Sequence, residues 1–569
     1  KPTAQSEVIQ VNEQLSETLS NFDAQNSLLE SELRDREVQG ISLFHEQDHF
    51  QLTFKDFDRL ESSDPEKTVG DHFPNLEDFH KNYVLEGVSS SVEVTGKRIA
   101  VLFSGGPASG GHNVVLGIKK ALKGNTLLGV KAGPKGLLKG DLFELSDEVV
   151  AKKANLGGFD LLGSDRTKIK TDDQFEQVRK VVKKEKLDGI IIIGGDDSNT
   201  NAAVLAERLV DLKCATVGVP KTIDGDLQIG QLLPISFGFD TATKIYAEMV
   251  GNILQDTPSS RKYWHFVKLM GRSASHVTLE VALQTKPAFT FISEEVQEQG
   301  WSLKDCVEKL AEVIVARAKK GVHHGVVLVP EGLIEFIPEM TALIQRLNGI
   351  LPTYKTQLNE LTISEKITLI ESDLSNEEVI LLKGLPEGFA NSLFLDRDSH
   401  GNVQVSLIET EKLLIEMVRD YLSVHHPECP FGSHSHFFGY EGRCGAPTLF
   451  DAEYTYNLGL VAGNLCLQEK TGYMAAITDL DKGGRAIAVP LTALVHFEMR
   501  EGAPQAVIQK ALVSPQSPAF QYFKSRRGSW QIDDLFASPG PRQYFGKTAA
   551  QLPMTVALNQ GYSSLRYQF

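Results

Sequence analysis

A chain of 569 residues, 41% of them hydrophobic, is too long for one ordinary domain and carries enough apolar side chains for two or three cores. Its net charge of −16 argues against nucleic acid or an anionic membrane as a partner, so any anionic ligand must be held by local Lys, Arg and backbone N–H groups. Five widely spaced cysteines, Cys214, Cys306, Cys429, Cys444 and Cys466, fit reduced thiols in a cytoplasmic protein, and no apolar run approaches the roughly 20 residues of a bilayer span.

In chain order, residues 1–12 are polar and do not resemble a secretory signal. Residues 1–95 carry scattered charge and a helical apolar rhythm at Leu15, Leu19, Leu28, Leu29 and Leu33, and are expected to form an extension packed on the core. From Lys97 onward, short β-rich runs are each followed by glycine and a helical stretch, at 99–103, 189–193, 216–219, 265–269, 289–292 and 326–329. This spacing predicts an α/β fold with parallel sheets covered on both faces. Ligands of such sheets gather beyond the carboxyl ends of the strands, where Gly105-Gly106, 194–197, 220–226, Gly271-Arg272 and Pro330-Glu331-Gly332 all fall. Between Gly332 and about Ser433 the rhythm gives way to amphipathic helices over 340–347, 364–371 and 407–424, which read as a helical insertion. A helix is expected over 454–469 and a loop-rich end after Pro539.

Two acidic turns dominate. Gly194-Gly195-Asp196-Asp197-Ser198 closes the run 190–193, and Pro220-Lys221-Thr222-Ile223-Asp224-Gly225-Asp226 closes 216–219. A glycine pair after a buried strand lets the backbone approach a phosphate, while clustered aspartates hold Mg²⁺ or take a hydroxyl proton. Asp196 is thus a candidate Mg²⁺ ligand, and Ser198 to Thr200 are candidate caps for a helix beginning near Asn201; two aspartates that merely cap the helix are the plain alternative. Asp224 is the candidate general base, Lys221 a phosphate clamp and Thr222 a hydroxyl donor, against the alternative of a solvated loop.

The first glycine loop, 103–111, opens a helix over 113–122 whose N-terminus suits a phosphate, although no Gly-Lys-Ser/Thr closes it and a tight turn explains it equally well. Arg272 offers a bidentate phosphate grip, Glu331 an acceptor for sugar hydroxyls, and Tyr440-Glu441-Gly442-Arg443 a grip on a terminal phosphate. His425, His426, Cys429, His434 and His436 fit no standard zinc spacing and read as an ordinary loop.

Gly-Gly-Asp-Asp-Ser, Pro-Lys-Thr-Ile-Asp-Gly-Asp, Met-Gly-Arg-Ser-Ala-Ser-His, Pro-Glu-Gly and Gly-Tyr-Glu-Gly-Arg, in this order, resemble the 6-phosphofructokinases, specifically the long pyrophosphate-dependent kind. The resemblance runs from about Lys97 to the end. It implies two Rossmann-like three-layer αβα domains: 96–239 with 444–495 on the diphosphate and Mg²⁺ side, and 240–339 with 426–443 and 496–569 on the sugar phosphate side. Residues 1–95 would be the N-terminal extension and 340–425 the mainly helical insertion. The implied reaction is reversible phosphoryl transfer from diphosphate to fructose 6-phosphate with Mg²⁺ as cofactor. A homodimer is expected, since the insertion and the N-terminal extension should cover surfaces through which shorter relatives form tetramers.

By resemblance, Gly106 and Arg166 contact diphosphate together with Lys221, Asp196 holds Mg²⁺, and Asp224 takes the proton of the sugar 1-hydroxyl. Thr222, Ile223 and Asp224 form one wall of the sugar site; Met270, Gly271, Arg272, Glu331, Tyr440, Glu441, Gly442 and Arg443 form the other. Asp226 orders the catalytic loop. Lys262 and Tyr263 fall where the family reaches across a subunit interface. Tyr263 and Tyr440 replace an arginine and a histidine of bacterial ATP-dependent members, which assigns the 6-phosphate to Lys262 and Arg443. Gly117 and Ala121 stand where those members carry effector arginines. ATP-dependent relatives have glycine at the positions of Asp197 and Lys221. Two like charges about 4 Å apart repel by roughly 4 kcal/mol at an effective dielectric near 20, about a thousandfold against a nucleotide α-phosphate. An ATP-dependent phosphofructokinase that tolerates Asp197, a non-catalytic regulatory subunit, and a related acceptor such as sedoheptulose 7-phosphate remain as alternatives.

Overall fold

The computed structural model describes residues 13–23, 28–395, 407–500 and 502–539; the polar opening 1–12 and the segment beyond Pro539 lie outside the described residues. In chain order the strands are β1 (Leu52–Arg59), β2 (Tyr83–Ser89), β3 (Arg98–Ser104), β4 (Thr126–Val130), β5 (Leu142–Glu144), β6 (Ser164–Asp165), β7 (Gly189–Gly194), β8 (Ala215–Thr222) and β9 (Phe237–Gly238). They continue with β10 (Tyr263–Leu269), β11 (Phe289–Thr290), β12 (His324–Pro330), β13 (Ser433–Phe438), β14 (Tyr473–Thr478), β15 (Arg485–Pro490), β16 (Val495–Arg500) and β17 (Ala503–Ile508).

The larger sheet runs β1-β2-β15-β14-β8-β7-β3-β4-β5, with β6 on β3 and β9 on β8. Its central pairs, β14 with β8, β8 with β7, β7 with β3 and β3 with β4, are parallel. Side chains alternate across it: Ile99, Val101 and Phe103 join Ile191 and Ile193 in one apolar layer, while Ala100 and Leu102 join Ile190 and Ile192 in the other. Each buried isoleucine of β7 contributes about 1.5–3 kcal/mol of transfer free energy, which puts this strand in the middle of the sheet. Helices Gly111–Ala121 and Leu449–Leu467 cover the first face, Asp172–Glu185 and Asp196–Leu209 the second. The first two meet backbone to backbone: a Cβ on Gly117 would run into the Tyr456 carbonyl, and one on Gly459 into that of Val114.

The smaller sheet, β11-β12-β10-β13, is wholly parallel. Val267, Leu269, Val326 and Leu328 face the core shared with the larger sheet; Trp264, Phe266, Val327 and Val329 face helix Leu303–Lys319 and the insertion. The insertion supplies helices Pro338–Ile350, Ile363–Ile370, Asn376–Gly384, Glu387–Leu393 and Thr410–His425, whose apolar faces extend that second core. Among the described residues, no helix is long and apolar enough to cross a membrane.

Several elements differ from the sequence expectation. Within the extension, β1 and β2 form an antiparallel pair that joins the larger sheet through β15, so this segment is part of a sheet as well as a covering. Gly87 makes the junction possible, because even a Cβ there would lie 3.0 Å from Leu52 and 3.1 Å from Ala486. Hairpin β16–β17, assigned above to the sugar phosphate side, packs instead on helix Asp196–Leu209: Val495 and Ile508, with Phe497 and Ala506, enter the apolar layer of the larger sheet. The helix expected near Asn201 begins at Asp196, with Gly195 as its N-cap and no side-chain cap. That expected over 454–469 spans Leu449–Leu467, opened by Thr448, whose side chain accepts from Asp451 N–H.

Candidate active site

The ends of β3, β7 and β8 in one sheet and of β10, β12 and β13 in the other converge on a single cleft. Lys221 and Thr222 belong to the last residues of β8, where β9 pairs with them and braces both backbones. The turn that follows is ordered by Thr222: its hydroxyl accepts from Asp224 N–H at 3.0 Å, and its carbonyl accepts from the Ser236 hydroxyl at 3.2 Å. Ile223 is buried in the core, which aims its neighbours into the cleft.

Facing this turn, the glycine loop after β3 brings backbone where a side chain would not fit. A Cβ on Gly106 would lie 2.6 Å from an Arg443 guanidinium nitrogen and 3.2 Å from one of Arg166; a Cβ on Gly105 would lie 3.8 Å from Lys221 Nζ. Three cations thus surround one stretch of bare backbone. Arg443, assigned above to the sugar 6-phosphate, stands beside Gly106 and Arg166, with the Tyr440 ring at 5.1 Å. A cleft of about 710 Å³ opens here, lined by Ser104, Gly105, Arg166, Asp197 and Arg500 among others; Asp197 is exposed on the first turn of its helix.

The opposite wall is built on β10 and β12. Gly271, at φ +131°, donates its N–H to Glu331 Oε2 at 2.9 Å, and Glu331 N–H donates to the Leu269 carbonyl at 3.0 Å. Met270 N–H donates to the Phe438 carbonyl at 3.0 Å, and Arg272 lies 3.6 Å from Glu335. Tyr440–Gly442 is one turn of 3-10 helix. Glu441 holds that turn by accepting from Gly439 N–H at 2.7 Å, and Gly442 lies against the Tyr246 ring, whose hydroxyl donates to the Gly439 carbonyl.

Burial and crowding tune the titratable groups. Desolvation, then the charge of Glu331, pushes the Asp224 carboxyl up to about 6, against the opposing pull of Lys510 and Lys221. Desolvation lowers Lys221 to about 8; Asp224 opposes the shift, while Arg166 and Arg443 add to it. Asp196 is raised chiefly by burial, with Asp197 and Asp226 adding repulsion and Lys510 relieving it. Such crowding favours a cation. No group of three or more His, Cys, Asp or Glu among the described residues is disposed to hold a metal alone. Mg²⁺ at a phosphoryl site ordinarily takes one or two carboxylates and completes its shell with substrate phosphates and water, a demand that Asp196 fits.

Lys262 and Tyr263 are not brought to the cleft within the chain. They precede and begin β10, whose far end carries Met270 and Arg272, roughly 20 Å away at about 3.3 Å per residue. Tyr263, at φ +74°, packs its ring on His434 at 4.4 Å and lies under the Lys262 ammonium at 5.0 Å. His436 meets His265 at 2.9 Å on the same side of the sheet.

Sequence reasoning missed Lys510, Glu335 and Tyr246. Lys510 follows β17, and its ammonium donates to the Ser273 hydroxyl at 3.1 Å, next to Arg272. No motif surrounds it in the sequence, so nothing short of the tertiary contact reveals it.

The chain matches the family profile described as Phosphofructokinase over residues 98–379. It is 45% identical over 508 residues to a pyrophosphate–fructose 6-phosphate 1-phosphotransferase of Treponema pallidum, covering 87% of this chain and 88% of the relative. A protein of the same name from Entamoeba histolytica is 45% identical over 475 residues, 81% of this chain and 87% of the relative. The crystal structure of a pyrophosphate-dependent phosphofructokinase from Nitrosospira multiformis superposes with a TM-score of 0.51 at 16% identity, over 79% of this chain and 96% of the other, which speaks for the fold. The family profile spans the glycine loop, both acidic turns and the Pro330-Glu331-Gly332 turn, and with relatives 45% identical over more than four fifths of its length the chain belongs to the phosphofructokinase family.

Proposed function

We propose that the protein catalyses reversible phosphoryl transfer from inorganic diphosphate to the 1-hydroxyl of fructose 6-phosphate, giving fructose 1,6-bisphosphate and phosphate, a glycolytic step. The names of the relatives support the two substrates. The observation that carries the reading is the convergence at the end of β8: Lys221, facing Gly105 and the guanidinium groups of Arg166 and Arg443, stands three residues before Asp224, which faces Glu331.

In the forward direction the sugar O1 forms a bond to the terminal phosphorus as the bridging P–O bond breaks, its electron pair leaving with phosphate. Asp224 accepts the hydroxyl proton. Between pH of about 6 and about 8 this carboxylate is ionised while Lys221 keeps its proton, so the base and the clamp are ready together. Lys221, Arg166 and Arg443 hold the charge of the leaving phosphate, with Gly106 presenting backbone to it. Asp197 places negative charge where the α-phosphate of a nucleotide would lie, favouring diphosphate over ATP. Asp196 would hold Mg²⁺, which supplies charge neutralisation to the phosphates when bound. Thr222, Ile223, Met270, Gly271, Arg272, Glu331, Tyr440, Glu441 and Gly442 shape the sugar site, with Asp226 ordering the catalytic turn.

We further infer a homodimer in which Lys262 and Tyr263 reach the sugar phosphate of the neighbouring subunit, since neither approaches the cleft of its own. Five unpaired cysteines favour a cytoplasmic setting. The function is tested by following phosphorus NMR of diphosphate, fructose 6-phosphate and Mg²⁺ with the enzyme: phosphate and fructose 1,6-bisphosphate should appear in equal amounts, and Asp224→Ser should abolish both. Hydrolysis of diphosphate without sugar bisphosphate would refute the reading.

A further inference from the structure

Lys510 is delivered to the cleft by a strap stitched to both walls. Ala511 N–H donates to the Asp226 carbonyl at 2.6 Å, His276 Nε2 meets the Ala511 carbonyl at 2.8 Å, and Glu294 Oε1 accepts from both Ser275 N–H at 2.9 Å and Val513 N–H at 3.3 Å. The strap is therefore fixed to the catalytic turn on one side and to the start of helix His276–Thr285 on the other. From it the Lys510 side chain, exposed toward the cleft, reaches the Ser273 hydroxyl at 3.1 Å. Its charge acts on Asp196, Asp224 and Asp226 of one wall and on Glu335 of the other. The guanidinium cluster of Arg166 and Arg443 lies around Gly106, on the diphosphate side. On the sugar side, where the transferred group arrives, Arg272 is held by Glu335 at 3.6 Å, and Lys510 stands beside it through Ser273. A phosphoryl group landing among Asp196, Asp224 and Asp226 needs a cation on that side, since carboxylates alone would repel it.

We propose that Lys510 is a phosphoryl-binding residue of the transfer cleft: with Arg272 it grips the phosphate newly joined to the sugar O1. This rests on the phosphoryl-transfer reading above. In the forward step O1 bonds to phosphorus, the bridging P–O bond breaks with its electrons on the leaving phosphate, and Asp224 takes the proton. Lys510 takes no part in the proton transfer and contributes charge and direction. A contact to the 1-phosphate exists in the bisphosphate and in the transition state but not in fructose 6-phosphate, so its loss has an uneven kinetic signature.

The test compares wild type, Lys510→Met and Lys510→Arg in both directions, with melting temperature as a check on folding. Wild-type turnover of diphosphate establishes the parent reading independently. The expected result for Lys510→Met is a fall of about 10- to 100-fold in forward kcat, a rise of about 5-fold or more in KM for fructose 1,6-bisphosphate, and a KM for fructose 6-phosphate within about 2-fold of wild type. Lys510→Arg should recover most of the loss. Equal movement of both KM values, or no movement of either, would overturn the proposal. Should Lys510→Met melt early, Ser273→Ala, which removes only the tether, carries the same comparison.

Discussion

Asp224 and Lys221 owe their chemistry to where they stand. An exposed aspartate would be ionised far below neutrality, but burial and Glu331 raise Asp224 to about 6, so this carboxylate accepts protons at a higher pH. The base form is lost as pH falls through that value. Forward kcat should therefore decline on the acid side with a midpoint near 6, while the reverse reaction, which needs the protonated carboxyl, should be favoured there. Rate profiles in both directions check the sign, and Asp224→Ser should cost at least about 10⁴-fold in each, which leaves no product visible by phosphorus NMR. A second prediction concerns the donor. Exchanging Asp197 and Lys221 together for glycine should shift the ratio of kcat/KM for ATP over diphosphate upward by about a thousandfold, following the 4 kcal/mol repulsion estimated for one misplaced charge. An unchanged ratio would refute the role given to the pair. At this scale the acidic turns were legible, because clustered carboxylates after glycines have few packing uses. The side occupied by Arg443 was not: it depends on which wall the 440–443 turn leans against, and Tyr246 decides that from a helix nearly 200 residues earlier.

Elements carry these side chains to their places, and one buried carboxylate ties three of them together. Asp451, in the first turn of helix Leu449–Leu467, accepts from Gly238 N–H at 3.2 Å, Thr241 N–H at 2.9 Å and the Thr241 hydroxyl at 2.6 Å. It thereby fixes the start of helix Phe239–Ser260 directly after β9, the strand that braces Lys221 and Thr222. Asp451→Ala leaves those donors without their partner at a cost of about 1–3 kcal/mol each, so calorimetry should show a clear drop in melting temperature, with activity falling in step. A variant melting with wild type would contradict this account of the junction. The strands with continuous isoleucine and valine runs were readable because both faces of a central parallel strand are buried. By contrast β1, with Lys55, Asp56, Asp58 and Arg59, looks like solvated chain because it is an edge strand whose stability comes from β2. The helix beginning at Asp196 was expected five residues later because Gly195 caps it through its backbone alone, leaving no capping side chain to read.

Across the whole molecule, the two sheets meet at one cleft, while hairpin β16–β17 packs on the larger sheet and its continuation supplies Lys510 to the sugar side. Strand periodicity revealed both sheets. It was silent on that crossing, because a contact between residues 510 and 273 leaves no trace in local pattern. Lys262 and Tyr263, at the remote end of β10, lead to the prediction of a homodimer: light scattering should give about twice the mass of one chain, and Lys262→Ala should raise KM for fructose 6-phosphate with kcat little changed. A monomer retaining full activity would refute the shared site.

The identity of the donor is decided by initial rates with fructose 6-phosphate and Mg²⁺, compared between diphosphate and ATP at equal concentration. The arrangement of Asp197, Lys221, Arg166 and Arg443 predicts turnover with diphosphate and little with ATP; preference for ATP, or turnover with neither, would contradict it.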